Sequence, residues 1–380
     1  MKTLLIDVRR IMVSLQLTVV LLVFGMILVF AATLDQTNLG IWGIQQKWFR
    51  SFIVFQDLQG VTIPIFPGGY LVGGLLLINL IAAHVDRFKF TWLKAGIFLT
   101  HAGLILLLIG ELLSGIFQED FHMRLNEGQT KNYAEAYREH ELAIIDTTDA
   151  KVDDVVSIPE ILLAKGTVVQ HPDLPFRVVT RAYYPNSFLQ SPSAITPASL
   201  ATVGLGLSVI ASPQPVTYKP TETNLISAYV ELISPDNSPG VFLVSTGLVA
   251  PQLFNYAGRS WRMTLRPKRI YEPFSLTLLK FSHDRYAGTD IPKNFSSRIR
   301  LKTSDGRDDR DVVVFMNNPL RYAGLTFYQA GFENNDRTSI LQVVRNPSWL
   351  VPYVACALMS IGLLAQFGIH LAGFVVKRSS

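Results

Sequence analysis

"TWLKAGIFLTHAGLILLLIGELLSG", residues 91–115, carries only three ionisable side chains, Lys94, His101 and Glu111. A helix needs about 20 apolar residues to cross a hydrocarbon layer of ~30 Å. This stretch meets that requirement, so the chain reads as a membrane protein. Working outward, four spans are expected, at roughly 11–34, 68–86, 92–117 and 349–376. The first, "IMVSLQLTVVLLVFGMILVFAATL", is longer than the 7–15 residue apolar core of a secretory signal, so it reads as a retained helix.

Charge gives an orientation. Lys2, Arg9 and Arg10 precede helix 1; Arg87, Lys89 and Lys94 lie between helices 2 and 3; Lys377 and Arg378 follow helix 4. Only Asp7 and Asp86 oppose them. Basic flanks stay cytoplasmic, which places both termini inside and residues 118–348 outside. That segment holds as many acidic as basic residues, so the formal net charge of +5 belongs to the membrane part. The basic excess therefore answers to a lipid bilayer and not to nucleic acid.

The expected fold class is an α+β integral membrane protein. Four transmembrane helices carry a large extracytoplasmic antiparallel β domain between helices 3 and 4. Residues 1–117 form three helices with an outer interfacial loop at 35–67. Residues 118–348 form the β-rich domain, and 349–380 the fourth helix and a short cytoplasmic tail. In the loop, "LGIWGIQQKWFRSFIVF" mixes aromatic rings with Lys47 and Arg50, the pattern of a short helix lying at the headgroup layer or of a packed lid. Helices 2 and 3, joined by a short turn, are expected to form an antiparallel pair.

The outer segment reads as strands. "RVVTRAYYP", "LISAYVELIS", "GVFLVSTGLV", "WRMTLRPKRIY", "FSLTLLKFSHD" and "LTFYQAGF" are rich in β-branched and aromatic residues. "SDGRDD" reads as the turn of a hairpin between "SRIRLKT" and "DVVVFM". A sandwich or open barrel is expected, with 186–222, rich in Pro, Ser and Thr, as its most mobile loop.

Three histidines fall in or beside the spans. His101 lies seven residues after Lys94 and His370 seven before Lys377, each ~10 Å inward at 1.5 Å per residue. His84 is about 5 Å from the edge by the same measure. An ionisable residue at that depth is a functional candidate. A neutral imidazole binds haem iron well, and Arg87, Lys89 or Lys94 would meet the propionates. The competing reading is a hydrogen bond that fastens two helices together. His84, closest to the interface, fits that reading best. His101 and His370 share a depth, which permits a two-histidine site.

Cys356 is the chain's one cysteine, so the outer domain has no disulfide of its own. A lone cysteine in a helix is usually an apolar filler, and redox work needs a partner thiol. The external His122, His140, His171 and His283 show no metal-ligand spacing, and no Ser/His/Asp or Cys/His arrangement stands out.

The layout resembles the ResB family of cytochrome c biogenesis proteins, and so do particular words. "RIMVSLQLTVVLL" is similar to that family's first helix and "THAGLILLLIGELLSG" to its third, histidine included. "MRLNEGQTKNY" and "ELAIID" resemble the start of its external domain. "PFSLTLLKFSHDRYAGTDIPKNFSSRIRL", "MNNPLRYAGLTFYQAGF" and "NPSWLVPYVACALMSIGLLAQF" resemble its later strands and closing helix.

The resemblance implies a subunit of the system II machinery that attaches haem to exported apocytochromes c in the bacterial cytoplasmic (inner) membrane. Its partners would be a ResC/CcsA-type membrane protein, apocytochrome c and a thioredoxin-like thiol reductant. Haem b would be carried non-covalently, with His101 as an axial ligand in the inner leaflet. The opposing ligand is usually the partner's, a role His370 here would fill as the alternative. Cys356 is matched only to a family cysteine discussed as redox-active. The chain alone would not turn over; with its partner it would act as a haem-lyase-like synthetase. Two rivals remain: a membrane b-haem electron-transfer subunit, and a haem-free structural assembly subunit.

Overall fold

The computed structural model describes residues 9–58, 60–87, 91–192, 198–217, 223–235, 238–286, 288, 292–334 and 337–379. The chain divides into two compact units, residues 1–119 with 345–380, and residues 120–217 with 221–344. In chain order the helices are α1 (Leu15–Ile44), α2 (Gly69–Arg87), α3 (Ala95–Phe117), the short α4 (Glu160–Ala164) and α5 (Val351–Ser379).

The first unit holds α1, α2, α3 and α5, each long and apolar enough to cross a membrane. Their large side chains are exposed on most sides, as at Phe30, Ile78 and Leu364. A helix apolar all round belongs in a core or in lipid, and these have no protein covering them. Ser14 caps α1 by accepting the Leu17 N–H at 3.1 Å.

Residues 35–67 meet expectation in part. α1 continues to Ile44 with a break at Gly40 (φ 64°), and a π-helical turn covers Gln45–Phe49. Then β1 (Ile53–Leu58) and β2 (Val61–Pro67) form a hairpin turning at Gly60 (φ 86°). The break at Gly40 sets off a short helical stretch at 41–49, which is the short helix expected here, and polar groups fix it to the preceding helix. Asp35 accepts from Lys47 Nζ at 2.8 Å and from Trp48 Nε1 at 2.9 Å. That folds the chain back and buries the Trp48 ring.

The helices pack through small and polar residues. α3 carries Gly96, Gly103 and Gly110 at heptad spacing, all buried. A Cβ at Gly96 would sit 2.5 Å from Gly362 O of α5, and one at Gly103 would sit 2.8 Å from Ala355 O. The two backbones approach closely only because those side chains are absent. α1 and α2 are joined by Asn79, which is 1% exposed. It accepts from Thr18 Oγ1 at 2.6 Å and donates to Met12 O at 2.6 Å.

The second unit is built of antiparallel sheets. Its strands are β3 (Glu119–Asn126), β4 (Thr130–Asp146), β5 (Asp154–Pro159), β6 (Arg177–Tyr184), β7 (Ser187–Gln190), β8 (Ile210–Pro213), β9 (Ser227–Ile233), β10 (Gly240–Ser245) and β11 (Gln252–Tyr256). They continue as β12 (Arg259–Arg285), β13 (Pro292–Thr303), β14 (Asp309–Phe315), β15 (Leu320–Tyr322), β16 (Leu325–Glu333) and β17 (Thr338–Arg345). The large sheet runs β14-β13-β12-β4-β3-β17-β16-β15, with β11 added to β12 and β5 to β4. A three-stranded sheet β10-β9-β6 and the pair β7-β8 complete the unit.

Each strand expected from the sequence is present. Two of them, 261–271 and 274–284, belong to the single strand β12. The expected hairpin joins β13 and β14, with Gly306 (φ 71°) in its turn. The stretch expected to be a mobile loop contains β7, β8 and a 3-10 turn at Gly204–Leu207, whereas its residues 193–197 and 218–222 lie outside the described residues.

Two cores form because β4 and β12 each serve both. One is built around Leu125, Leu276, Ile299, Phe327 and Leu341, the other around Leu142, Ile144, Val230, Trp261 and Met263. Between them the β4–β12 ladder breaks. Glu135 pairs with Arg269 and His140 with Pro267, so four residues of β4 face Lys268 alone. Bulges of this kind re-aim side chains and often border functional sites.

Candidate functional site

The geometry of α3 sets what His101 can touch. At 3.6 residues per turn, a residue five past Gly96 and two before Gly103 lies on the opposite side of the helix from the glycine stripe. The stripe faces α5, so His101 faces away from it and meets α2. Its ring centroid lies 6.0 Å from that of His84, the planes 27° apart, and His84 in turn lies 4.8 Å from the Phe98 ring.

His101 Nδ1 is 2.8 Å from the Ile97 carbonyl oxygen. A carbonyl only accepts, so Nδ1 carries the hydrogen, and in the neutral ring that assignment leaves the lone pair on Nε2. A metal-binding histidine is oriented in the same way, with one ring nitrogen donating to a backbone carbonyl or carboxylate. The ring is half-buried, neither sealed inside the bundle nor fully bare.

Ile97 also ties this point to α5. Its N–H, one of the four that a helix start leaves without an internal partner, donates to Gln366 Oε1 at 3.2 Å. Gln366 Nε2 donates to His370 Nε2 at 2.9 Å. His370 is therefore held by its own helix neighbour, on the helix from which His101 turns away. The pair brought together is His84 with His101.

Lys94 is exposed at the start of α3, and Arg87 is the last residue of α2. The side chain of Arg87 and all of Lys89 lie outside the described residues. Cys356 is exposed on α5, and the chain holds no second thiol. Sequence reasoning misses Asn79 and Gln366. The signal is available, since each is a polar side chain inside an otherwise apolar span. The glycine heptad of α3 is equally visible as a packing signal.

The second unit buries its own imidazole. His122 is 5% exposed, and Arg124 Nη1 donates to its Nε2 at 2.6 Å. Burial, aided by the cations Arg124 and Lys131, presses its pKa down to about 4. The ring is neutral and its lone pair is used. Among the described residues no cluster of three or more His, Cys, Asp or Glu side chains is arranged to hold a bare metal ion.

Fold and site together define a multi-pass membrane protein with a strand-rich domain and an oriented imidazole pair in its helix bundle. More particularly, part of the strand-rich domain resembles the ResB-like family. The model of the ResB-like family matches residues 260–340, which cover most of β12 through β17. The curated protein NrfI of Wolinella succinogenes is 34% identical over 98 residues, or 26% of this chain. The chain spans 11% of the length of that relative.

Proposed function

We propose that this chain is the membrane subunit of a cytochrome c maturation complex that binds haem in the inner leaflet and helps hand it to exported apocytochromes c. The observation that carries the proposal is the orientation of His101. Its Nδ1–H is spent on Ile97 O, its Nε2 is left as a Lewis base, and His84 lies beside it. The residues fit a haem: apolar helix surface for the macrocycle, an imidazole for the iron, and Lys94 about 10 Å along the helix for a propionate. The resemblance to ResB supplies the class of client and the partner, a ResC/CcsA-type protein, with a thioredoxin-like reductant keeping the client thiols free.

Haem is the cargo in this reading. His101 holds the iron while the macrocycle passes between subunits, and His84 backs the ring and limits its rotation. The basic flanks of the spans keep both termini in the cytoplasm and the strand-rich domain outside.

The reading is tested in cells that depend on this chain for cytochrome c. A His101→Gly variant is expected to lose covalent haem in the c-type cytochromes, and imidazole in the medium to restore part of it. His370→Ala is expected to leave maturation intact. Normal maturation in the His101→Gly strain would reject the proposal.

A further inference from the structure

Glu111 is the acidic residue of α3, and it differs from the other polar groups of the bundle. Asn79, Ser114 and Gln366 each have hydrogen-bond partners there. The Glu111 side chain is exposed, and its carboxylate has no hydrogen bond or ion pair among the described residues.

The carboxylate also lies below the edge of the apolar layer. Glu111 stands six residues before Phe117, the end of α3, or about 9 Å at 1.5 Å per residue. Ile116 and Phe117, which close the helix, are apolar and exposed, so the apolar surface of this span runs on past Glu111. Lys and Arg can bring their charge to water from such a depth on long stems, and the glutamate stem is shorter. An ionisable residue inside a span almost always pairs with another group.

The position of Glu111 on the helix shows where that group would come from. Ile97, Leu104 and Glu111 recur every seven residues, so they form one stripe that drifts only about 20° per step. Ile97 is 36% and Leu104 38% exposed, and Glu111 is exposed with them. α3 therefore has two heptad rows: the glycines, closed by α5, and this one, uncovered. Rows with this spacing are the seams along which helices pack. The uncovered row passes beside His101, which lies about 60° round the helix from Leu104 at 100° per residue.

Charge selects the occupant. Lipid tails offer a carboxylate no partner. A second copy of this chain offers no cation, because neither Lys nor Arg occurs within residues 15–44, 69–86, 95–117 or 351–376. Pairing the stripe with itself would set Glu111 against Glu111.

We propose that the stripe of Ile97, Leu104 and Glu111 seats a membrane helix of a different protein, one that carries Lys or Arg within its span to pair with Glu111. The proposal rests on the reading of this chain as one subunit of a membrane complex, and it names the face and the charge through which the subunits meet. On that reading the helix belongs to the ResC/CcsA-type partner and stands at the edge of the imidazole pair.

The test places a photo-crosslinking amino acid, benzoylphenylalanine, at Leu104 of the full chain in native membranes. The adducts are identified by peptide mass spectrometry. The expected adduct is a membrane helix of another protein with Lys or Arg inside its span. Its yield is expected to fall about 10-fold or more when Glu111→Leu or Glu111→Lys is added, and to survive Glu111→Asp. Glu111→Leu makes the span more apolar, so a lost adduct in that variant is not a lost helix. Adducts with lipid alone, with a second copy of this chain, or with a helix lacking a cation would overturn the proposal. So would an undiminished yield in Glu111→Lys. A cation-bearing helix from some other membrane protein would uphold the stripe and reject the ResC/CcsA-type assignment. Haem ligation by His101 does not enter this readout, so the failure of either reading is seen separately.

Discussion

His101 and His122 are the same side chain held in opposite ways. In the helix bundle, a backbone carbonyl takes the Nδ1–H of His101 and leaves Nε2 open. In the sheet, Arg124 donates into Nε2 of His122 and the lone pair is used. The partner on one nitrogen decides what the other can do. A carbonyl makes a Lewis base of the ring; a guanidinium makes it a neutral, inert part of a core.

The contrast between the two rings is sharpened first through pH. The pKa of His122 is about 4 in the folded protein against 6.5 for a free histidine. Between those values the unfolded chain binds a proton that the folded chain refuses, so stability rises with pH across this window. The contribution is fully present above 6.5 and is lost as pH falls toward 4. At about 1.4 kcal/mol per unit it amounts to about 3 kcal/mol. His122→Gln offers Arg124 an acceptor that does not titrate. Unfolding of the full chain in detergent, followed at several pH values, is expected to lose most of its slope in this variant. An unchanged slope would mean that other groups dominate.

The bundle is broken by bulk and not by protons. Gly103→Val places a side chain where a Cβ would stand only 2.8 Å from Ala355 O. Overpacking of this kind costs about 1–3 kcal/mol. The melting temperature of the full chain is expected to fall, by the same amount at about pH 5 and about pH 7, on either side of most of the histidine window. A pH-dependent loss would show that the two regions are not distinct in this respect.

The smallest effect concerns Asn79. Asn79→Leu removes its bonds to Thr18 and Met12 and adds apolar surface in their place. Hydrogen bonds between membrane helices contribute about 1 kcal/mol or less. A small drop in stability with unchanged haem uptake is the expected outcome. A large loss of haem would mean that α1 and α2 position the site more directly than through packing.

The two regions also differ in how far they can be read from sequence. The helices are legible because about 20 apolar residues in a row have few other uses. The β13–β14 hairpin is legible because its turn residues sit between alternating strands. β12 reads as two strands because Pro273 looks like a break; the ladder to β4 instead steps across it with a register shift. The hairpin at 53–67 is hidden because its aromatic residues also suit a membrane surface.

For the site, depth alone singles out His101 and His370. It cannot show that the glycine stripe turns His101 away from α5 and toward His84.

The central claim is that Nε2 of His101 grips porphyrin iron. It is tested most directly by the Soret spectrum of the purified full chain loaded with ferric haem, compared with His101→Gly before and after imidazole is added. The account predicts that the variant loses one equivalent of absorbance and that imidazole returns it. An identical spectrum in wild type and variant, indifferent to imidazole, would contradict it.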